Sequence, residues 1–429
     1  MRNNSIITYG GIMKLRNSLL ALLAALPLML SAADWPCFNG PKQDNISPDT
    51  ELLKEWPAEG PKLLFKFDKC GKGYSSVSVA GDTIYTAGDF EDDSMVIALD
   101  LSGKQKWAAP AGGTWNSSYP GTRATPTIDG DNVYIMNALG EINCLNAKDG
   151  TVKWTTNVSF KLKGKKGNWG YAESLIVDGN NLLCMVGSAE KLLVALDKNT
   201  GKEVWATKNT LGDSASYCTP VIVNQMSLRT VITMSQKNVV GIDPKTGDLL
   251  WSFPHATKYD VNASTPVYYK GYVYVSTGYG IGTDCYLISD YGKSVTKQWA
   301  NTLMDNHHGG LVGLDGYVYG SAERSFLCLE LATGKAAWTS KDIGKGSVTY
   351  ADGMLYTLSE RGKLALVEAS PSACKIVSSF QVPAEGSKDP FWAHPVVING
   401  VLYVRHGENL FAYSVKNKIL RPEGRERFV

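Results

Sequence analysis

A surplus of either charge is missing from this 429-residue chain, in which 43 Lys and Arg face 41 Asp and Glu for a formal charge of +2. No basic field is present to hold nucleic acid or an anionic membrane. The eight cysteines include no adjacent pair and no C-x-x-C, so neither a zinc knuckle nor a thioredoxin-type site is indicated. No Ser-His-Asp or metal-ligand motif is present. The apolar run from Leu19 to Leu30 is too short to span a bilayer comfortably.

What is there begins with an address. Met13-Lys14-Leu15-Arg16 forms a basic n-region, and Ser31-Ala32-Ala33 supplies small residues before Asp34. The pattern predicts a signal peptide over residues 1–33, with Met13 as the expected true start, and a periplasmic or secreted protein. No transmembrane anchor is expected after its removal, and no Cys follows the run to carry a lipid. Disulfides could form in that compartment. Yet Cys144, Cys184, Cys285 and Cys328 sit singly inside apolar strands and read as small core residues. Cys37 with Cys70 is the one pairing the sequence offers.

The composition is that of a globular protein rich in aromatic and β-branched residues, with 43 glycines, which suits short strands and tight turns. One phrase recurs: an apolar strand ending in an acidic or polar residue, a turn with Gly, then a strand reaching Trp. It runs Leu99-Asp100 to Gly103 to Trp107, Leu145-Asn146 to Gly150 to Trp154, and Leu196-Asp197 to Gly201 to Trp205. It continues with Ile242-Asp243 to Gly247 to Trp251, a looser copy ending at Trp299, Leu329-Glu330 to Gly334 to Trp338, and a degraded copy near Phe380. The Trp spacing, roughly 40 to 50 residues, is that of four-stranded propeller blades.

Interleaved hairpin turns mark the start of each unit. They fall at Gly81-Asp82, Asp129-Gly130, Asp178-Gly179, Lys270-Gly271, Asp315-Gly316, Asp352-Gly353 and Asn399-Gly400, with a longer turn around Asn224 to Arg229. That makes eight units. The last supplies three strands and no outer fourth, while Leu63-Leu64-Phe65-Lys66-Phe67 is an orphan strand near the start. Pairing the two closes the ring and removes an open edge. The expected fold is therefore all-β: an eight-bladed β-propeller of four-stranded antiparallel blades, closed by the N-terminal strand. The expected organisation is an extension over residues 34–61, the propeller over 62–415 and a tail over 416–429.

The Thr-Gly-Lys-x-x-Trp phrase resembles the tryptophan-docking repeat of the pyrroloquinoline quinone (PQQ) propeller superfamily, which includes quinoprotein alcohol dehydrogenases and BamB. The resemblance implies that the repeat Trp residues are structural, packed between blades. Asp34-Trp35-Pro36-Cys37-Phe38-Asn39-Gly40-Pro41, Asn168-Trp169-Gly170-Tyr171, Asn306-His307-His308-Gly309-Gly310 and Trp392-Ala393-His394-Pro395 are similar to a group of exported PQQ-repeat proteins.

In that topology the link from each outer strand to the next inner strand crosses one face beside the central channel. Those links carry Tyr74, Trp115, Tyr119, Arg123, Trp169, Tyr171, Glu173, Tyr217, Tyr259, Asp260, Asn262, His307, His308, Trp392 and His394, including three of the five histidines. Their convergence defines a candidate ligand funnel. His307-His308 alone is a poor metal motif, because adjacent residues on a strand point oppositely. Glu173 with His307 or Asn262 could hold a hard cation. Lys161 to Lys166 reads as a solvated basic loop.

Two functions follow. A PQQ- and calcium-dependent alcohol or sugar dehydrogenase would use Glu173 or Asp260 as its carboxylate base, Arg123 against a quinone carboxylate, and Trp169 or Trp392 for stacking. The adjacent Cys-Cys pair of such enzymes is missing here. A non-catalytic module binding a protein, a glycan or a small ligand fits the lean blades, and is the favoured reading.

Overall fold

Each repeat folds as one four-stranded antiparallel sheet, and there are eight such sheets. The computed structural model describes residues 33–225 and 228–417. The expected signal peptide, apart from Ala33, lies outside the described residues, as does the tail from residue 418 onward. No helix among the described residues is long and apolar enough to cross a membrane.

Blades 1 to 7 span residues 78–113, 127–157, 176–208, 221–254, 267–301, 311–340 and 346–381. Blade 8 takes three strands from residues 396–414, and its outer strand is Leu63–Phe67. That strand runs antiparallel to Asn409–Ser414, with Lys66 opposite Phe411 and Phe67 opposite Leu410. The ring is closed as the strand count demanded. Tight turns sit where the Gly dipeptides placed them. Asp315 and Gly316 both have positive φ (50° and 85°), as a two-residue hairpin turn of this hand requires.

The repeat phrase explains how blades lock together. The indole Nε1 of Trp107 donates to the Ala147 carbonyl of the next blade, Trp154 to Lys198, Trp205 to Pro244, Trp299 to Leu331 and Trp338 to Ser370. The ring then lies flat on the next blade's turn glycine. A methyl group added at Gly201 would sit 2.6 Å from the Trp154 ring, and one at Gly150 would sit 2.6 Å from the Trp107 ring. Trp251 departs from the pattern. Its Nε1 has no partner among the described residues, and it stacks on Phe253 at 6.0 Å instead. At the ring closure Phe65 replaces Trp and lies against Gly103, while Gly60 of the N-terminal segment covers Phe380.

Gly201 carries φ +68° as well as the ring contact. Gly201→Ala should therefore combine left-handed strain with displacement of Trp154, lowering stability by about 2–4 kcal/mol. Urea unfolding checks this, and a change below about 0.5 kcal/mol would contradict the docking account.

Residues 34–61 do more than extend the chain. Trp35, 1% exposed, bridges Val79 on the inner strand of blade 1, and the Pro36 carbonyl accepts from Ile128 of blade 2. Asn39 Nδ2 donates to Thr265 Oγ1 beside blade 5, and Asn45 Nδ2 to the Leu311 carbonyl of blade 6. The Ser47 N–H donates to Tyr350 of blade 7, and Asp49 accepts from Gly400 of blade 8. Contacts to inner edges on opposite sides of the ring mean that residues 35–49 plug the central channel.

The expected Cys37–Cys70 pairing does not form. All eight cysteines are free thiols. Cys37 Sγ donates to the Gly40 carbonyl at 3.2 Å inside the plug, and Cys70 is buried beside Arg405. Cys144, Cys184, Cys285 and Cys328 are buried in the blades as small core residues, and burial pushes the Cys144 thiol up to about 11.

Candidate functional site

The inner strands begin at one face of the ring, and the links that precede them surround a cavity of about 590 Å³. Its wall is aromatic. Trp392 contacts Tyr74 at 4.8 Å, Tyr119 at 4.9 Å and His308 at 5.0 Å between ring centroids. The collar continues from His308 to His307 at 5.1 Å, from His307 to Tyr279 at 4.7 Å, and from Tyr279 to Tyr259 at 5.0 Å. Trp169 and Tyr217 complete the wall on blades 3 and 4, 6.2 Å apart.

A chain of hydroxyls links the inner edges of blades 1 to 4, and its Ser174 and Thr219 line the cavity. The Ser76 N–H donates to Thr125 Oγ1, the Thr125 N–H to Ser174 Oγ, and the Ser174 N–H to Thr219 Oγ1, each at 2.9–3.0 Å. The plug supplies the floor, where Phe38 lies 4.8 Å from His394.

Polar groups in the wall fall into two sets. On blade 7, Glu360 Oε1 accepts the Trp392 indole N–H at 2.6 Å and has His308 Nε2 and Lys345 Nζ each at 3.5 Å. Its charge is thus compensated. On blade 2, Arg123 donates to the carbonyls of Gly121 and Tyr119 and lies over the rings of Tyr74 and Trp115 at 6.0 and 5.9 Å. Among the described residues it forms no ion pair. Burial lowers its pKa, against the opposing longer-range influence of Tyr74, Tyr217 and Asp89. Burial also holds His307 and His394 down to about 4, and His308 well below its usual range. All three are neutral near pH 7.

Of the residues expected in the funnel, Arg123, Trp169, His307, His308, Trp392 and His394 line the cavity. Trp115, Tyr171, Glu173, Asp260 and Asn262 do not. Tyr171 is 1% exposed and donates to the Val186 carbonyl. Glu173 Oε1 accepts the Met185 N–H at 2.6 Å. Asn262 Nδ2 donates to the carbonyls of Ser235, Gln236 and His255, and Asp260 accepts from Gln236 at 2.7 Å. The reason is parity. Ala172 and Ser174 face the cavity, as do Val261 and Ala263, so Glu173 and Asn262 between them turn into the blade. His307 and His308 escape this rule because they precede the strand Leu311–Leu314 and both reach the cavity.

Phe38, Tyr279, Lys345 and Glu360 line the cavity without having been anticipated. Tyr279 and Glu360 come from turns between the second and third strands of their blades, which also rise to this face. Lys345 sits in the link before blade 7, so the rule that found the other link residues applied to it too.

The donor set does not fit a calcium-bound quinone. Calcium takes six to eight oxygen ligands. Glu173 and Asn262 are turned to backbone groups, Glu360 is compensated, and among the described residues no group of three or more His, Cys, Asp or Glu side chains comes together. An Asp-His-Thr chain does exist in blade 5, with His255 Nδ1 2.6 Å from Asp284 and Nε2 2.8 Å from Thr277. Thr277 is wholly buried, so this chain is a structural link.

Comparison with known proteins follows the fold. BamB from Moraxella catarrhalis is 15% identical, with a TM-score of 0.58 over 80% of this chain and 94% of that one. A europium-containing methanol dehydrogenase is 13% identical, with a TM-score of 0.64 over 87% and 90%. The quinohemoprotein alcohol dehydrogenase of Comamonas testosteroni is 12% identical, with a TM-score of 0.61 over 91% and 82%. Such likenesses establish the propeller and not its chemistry. No curated protein sequence matches the chain. A family model does match, over residues 92–340, and the chain belongs to the family it describes, outer membrane protein assembly factor BamB.

Proposed function

We propose that this chain is an exported, non-catalytic binding module whose funnel takes a ligand with ring faces to stack and polar groups to pair. One observation carries the reading. An aromatic collar surrounds a cavity of small-ligand size, and the buried Tyr74 Oη in its wall has no partner among the described residues. Aromatic walls bury apolar ring faces, while unpaired donors and acceptors reward a ligand that completes them.

Oxidation of an alcohol is the other reading that the fold suggests. It needs a base near the cavity, and the two carboxylates expected in that role, Glu173 and Asp260, are engaged by Met185 and Gln236 outside the lining. The test is a tryptophan-fluorescence titration of the wild-type chain and Trp392→Ala with a panel of oligosaccharides, and with PQQ in the presence and absence of calcium. The expected result is saturable quenching by a saccharide, indifferent to calcium and weakened at least tenfold in Trp392→Ala. Tight calcium-dependent quenching by PQQ, with dye-linked oxidation of an alcohol or sugar, would overturn it.

A further inference from the structure

The two unpaired features of the wall stand side by side. Arg123 is a half-buried guanidinium with no carboxylate in ion-pair range among the described residues, fixed from one side by the Gly121 and Tyr119 carbonyls. Its carbon lies 6.0 Å from the centre of the Tyr74 ring. Tyr74 is 9% exposed and its hydroxyl is a buried donor without an acceptor. A cation without a carboxylate partner, beside a hydroxyl that lacks an acceptor, makes a cradle for an anion, most naturally a carboxylate held by the guanidinium fork.

Across Trp392 the unpaired group has the opposite character. His394 Nε2 is 2.9 Å from the His308 carbonyl, an atom that only accepts. The proton is therefore on Nε2, and the unpartnered Nδ1 is an acceptor that lies sealed against Gly310 rather than open to the funnel. A ligand that fits this wall carries a carboxylate for Arg123 and Tyr74 and a ring whose apolar face lies on Trp392.

We infer that the funnel binds an acidic saccharide, a pyranose chain bearing carboxylates, with Arg123 and Tyr74 as the carboxylate site. This rests on the binding-module reading above. The apolar face of the sugar ring lies on the indole. One stretch of the rim is basic. Lys161, Lys163, Lys165 and Lys166 are exposed, form no ion pair among the described residues, and lie on the loop that packs against Tyr217 at Gly167. They attract a polyanionic chain at longer range and should make its binding salt-dependent.

Trigalacturonic acid, its methyl ester and triglutamate are the probes, titrated by tryptophan fluorescence against wild type, Arg123→Gln and Tyr74→Phe. Thermal melts show whether each variant folds. The acid should bind, the ester about tenfold or more weakly, and Arg123→Gln should lose that margin for the acid while leaving the ester unchanged. Tyr74→Phe should show a smaller loss in the same direction, which keeps the inference testable if Arg123→Gln does not fold. Equal binding of acid and ester overturns the carboxylate site but leaves the funnel as a saccharide site. Triglutamate binding as tightly as the acid overturns the saccharide assignment, and failure of the acid to bind overturns the inference outright. The binding-module reading itself fails only if no member of the wider saccharide panel is bound.

Discussion

Arg405→Met is expected to destabilise the protein by roughly 4 kcal/mol or more, the largest single effect among side chains outside the funnel. Arg405 is 2% exposed on the second strand of blade 8. Its Nη1 donates to the carbonyls of Ser75 and Ala87 and to Thr86 Oγ1 on blade 1. Its Nη2 donates to the Cys70 and Gly71 carbonyls, and its Nε to Gly407. Burying a guanidinium without a carboxylate is costly, and here six acceptors offset the cost. The staple joins the last blade to the first, where the ring closes. Methionine fills much of the volume but leaves four carbonyls on the blade 1 side unpaired. Lysine keeps the charge, but three donors on one nitrogen cannot replace the fork, so Arg405→Lys should also be strongly destabilised. Urea unfolding of both variants is the check. A loss under about 1 kcal/mol for either would mean that closure depends on the Leu63–Phe67 strand alone.

The second large effect is a dependence on pH. Burial pushes the Glu173 carboxyl from 4.5 up to about 8, an effect only partly opposed by the Met185 N–H and by Cys184. Between those values the folded protein holds a proton that the unfolded chain has released. The stability from this group is fully present below pH 4.5 and is lost as pH rises through about 8. The loss is about 1.4 kcal/mol per pH unit across that window, several kcal/mol in all. Glu173→Gln keeps the shape and the acceptor for Met185 but cannot ionise. Wild type minus variant should therefore fall steeply between pH 5 and pH 8, with the glutamine variant the more stable at pH 8. Parallel profiles for the two proteins would contradict the buried, neutral carboxyl. Because Glu173 faces the blade, the same substitution should leave funnel binding unchanged, which separates it from a catalytic base.

How much of this was legible differs by element. The orphan strand could be placed because its partner blade was one strand short, and hydrogen-bonded edges must be covered. The blade-locking Trp residues were legible because four of the five, Trp107, Trp154, Trp205 and Trp338, follow a turn glycine by four residues. The funnel was legible as a set of links but not residue by residue. Glu173 and Asn262 lie one position from Ser174 and Ala263, and a link outside a regular strand does not announce its parity. The plug was not legible at all. Residues 34–61 have no period, and their partners lie far along the chain, as Asn39 and Thr265 do. Arg405 reads as one polar residue in Val404-Arg405-His406, and only folding reveals the carbonyls converging on it. Phe38, on the floor of the cavity, was hidden for the same reason as the plug that carries it.

The claim on which the rest depends is that the funnel binds and does not oxidise. Its most direct test is the oligosaccharide titration of wild type beside Trp392→Ala, with Phe160→Ser as the control, since Phe160 is 85% exposed and outside the cavity lining. The account predicts saturable quenching that survives in Phe160→Ser and falls at least tenfold in Trp392→Ala. Quenching that is the same in all three proteins, or absent from wild type across the whole panel, would contradict it.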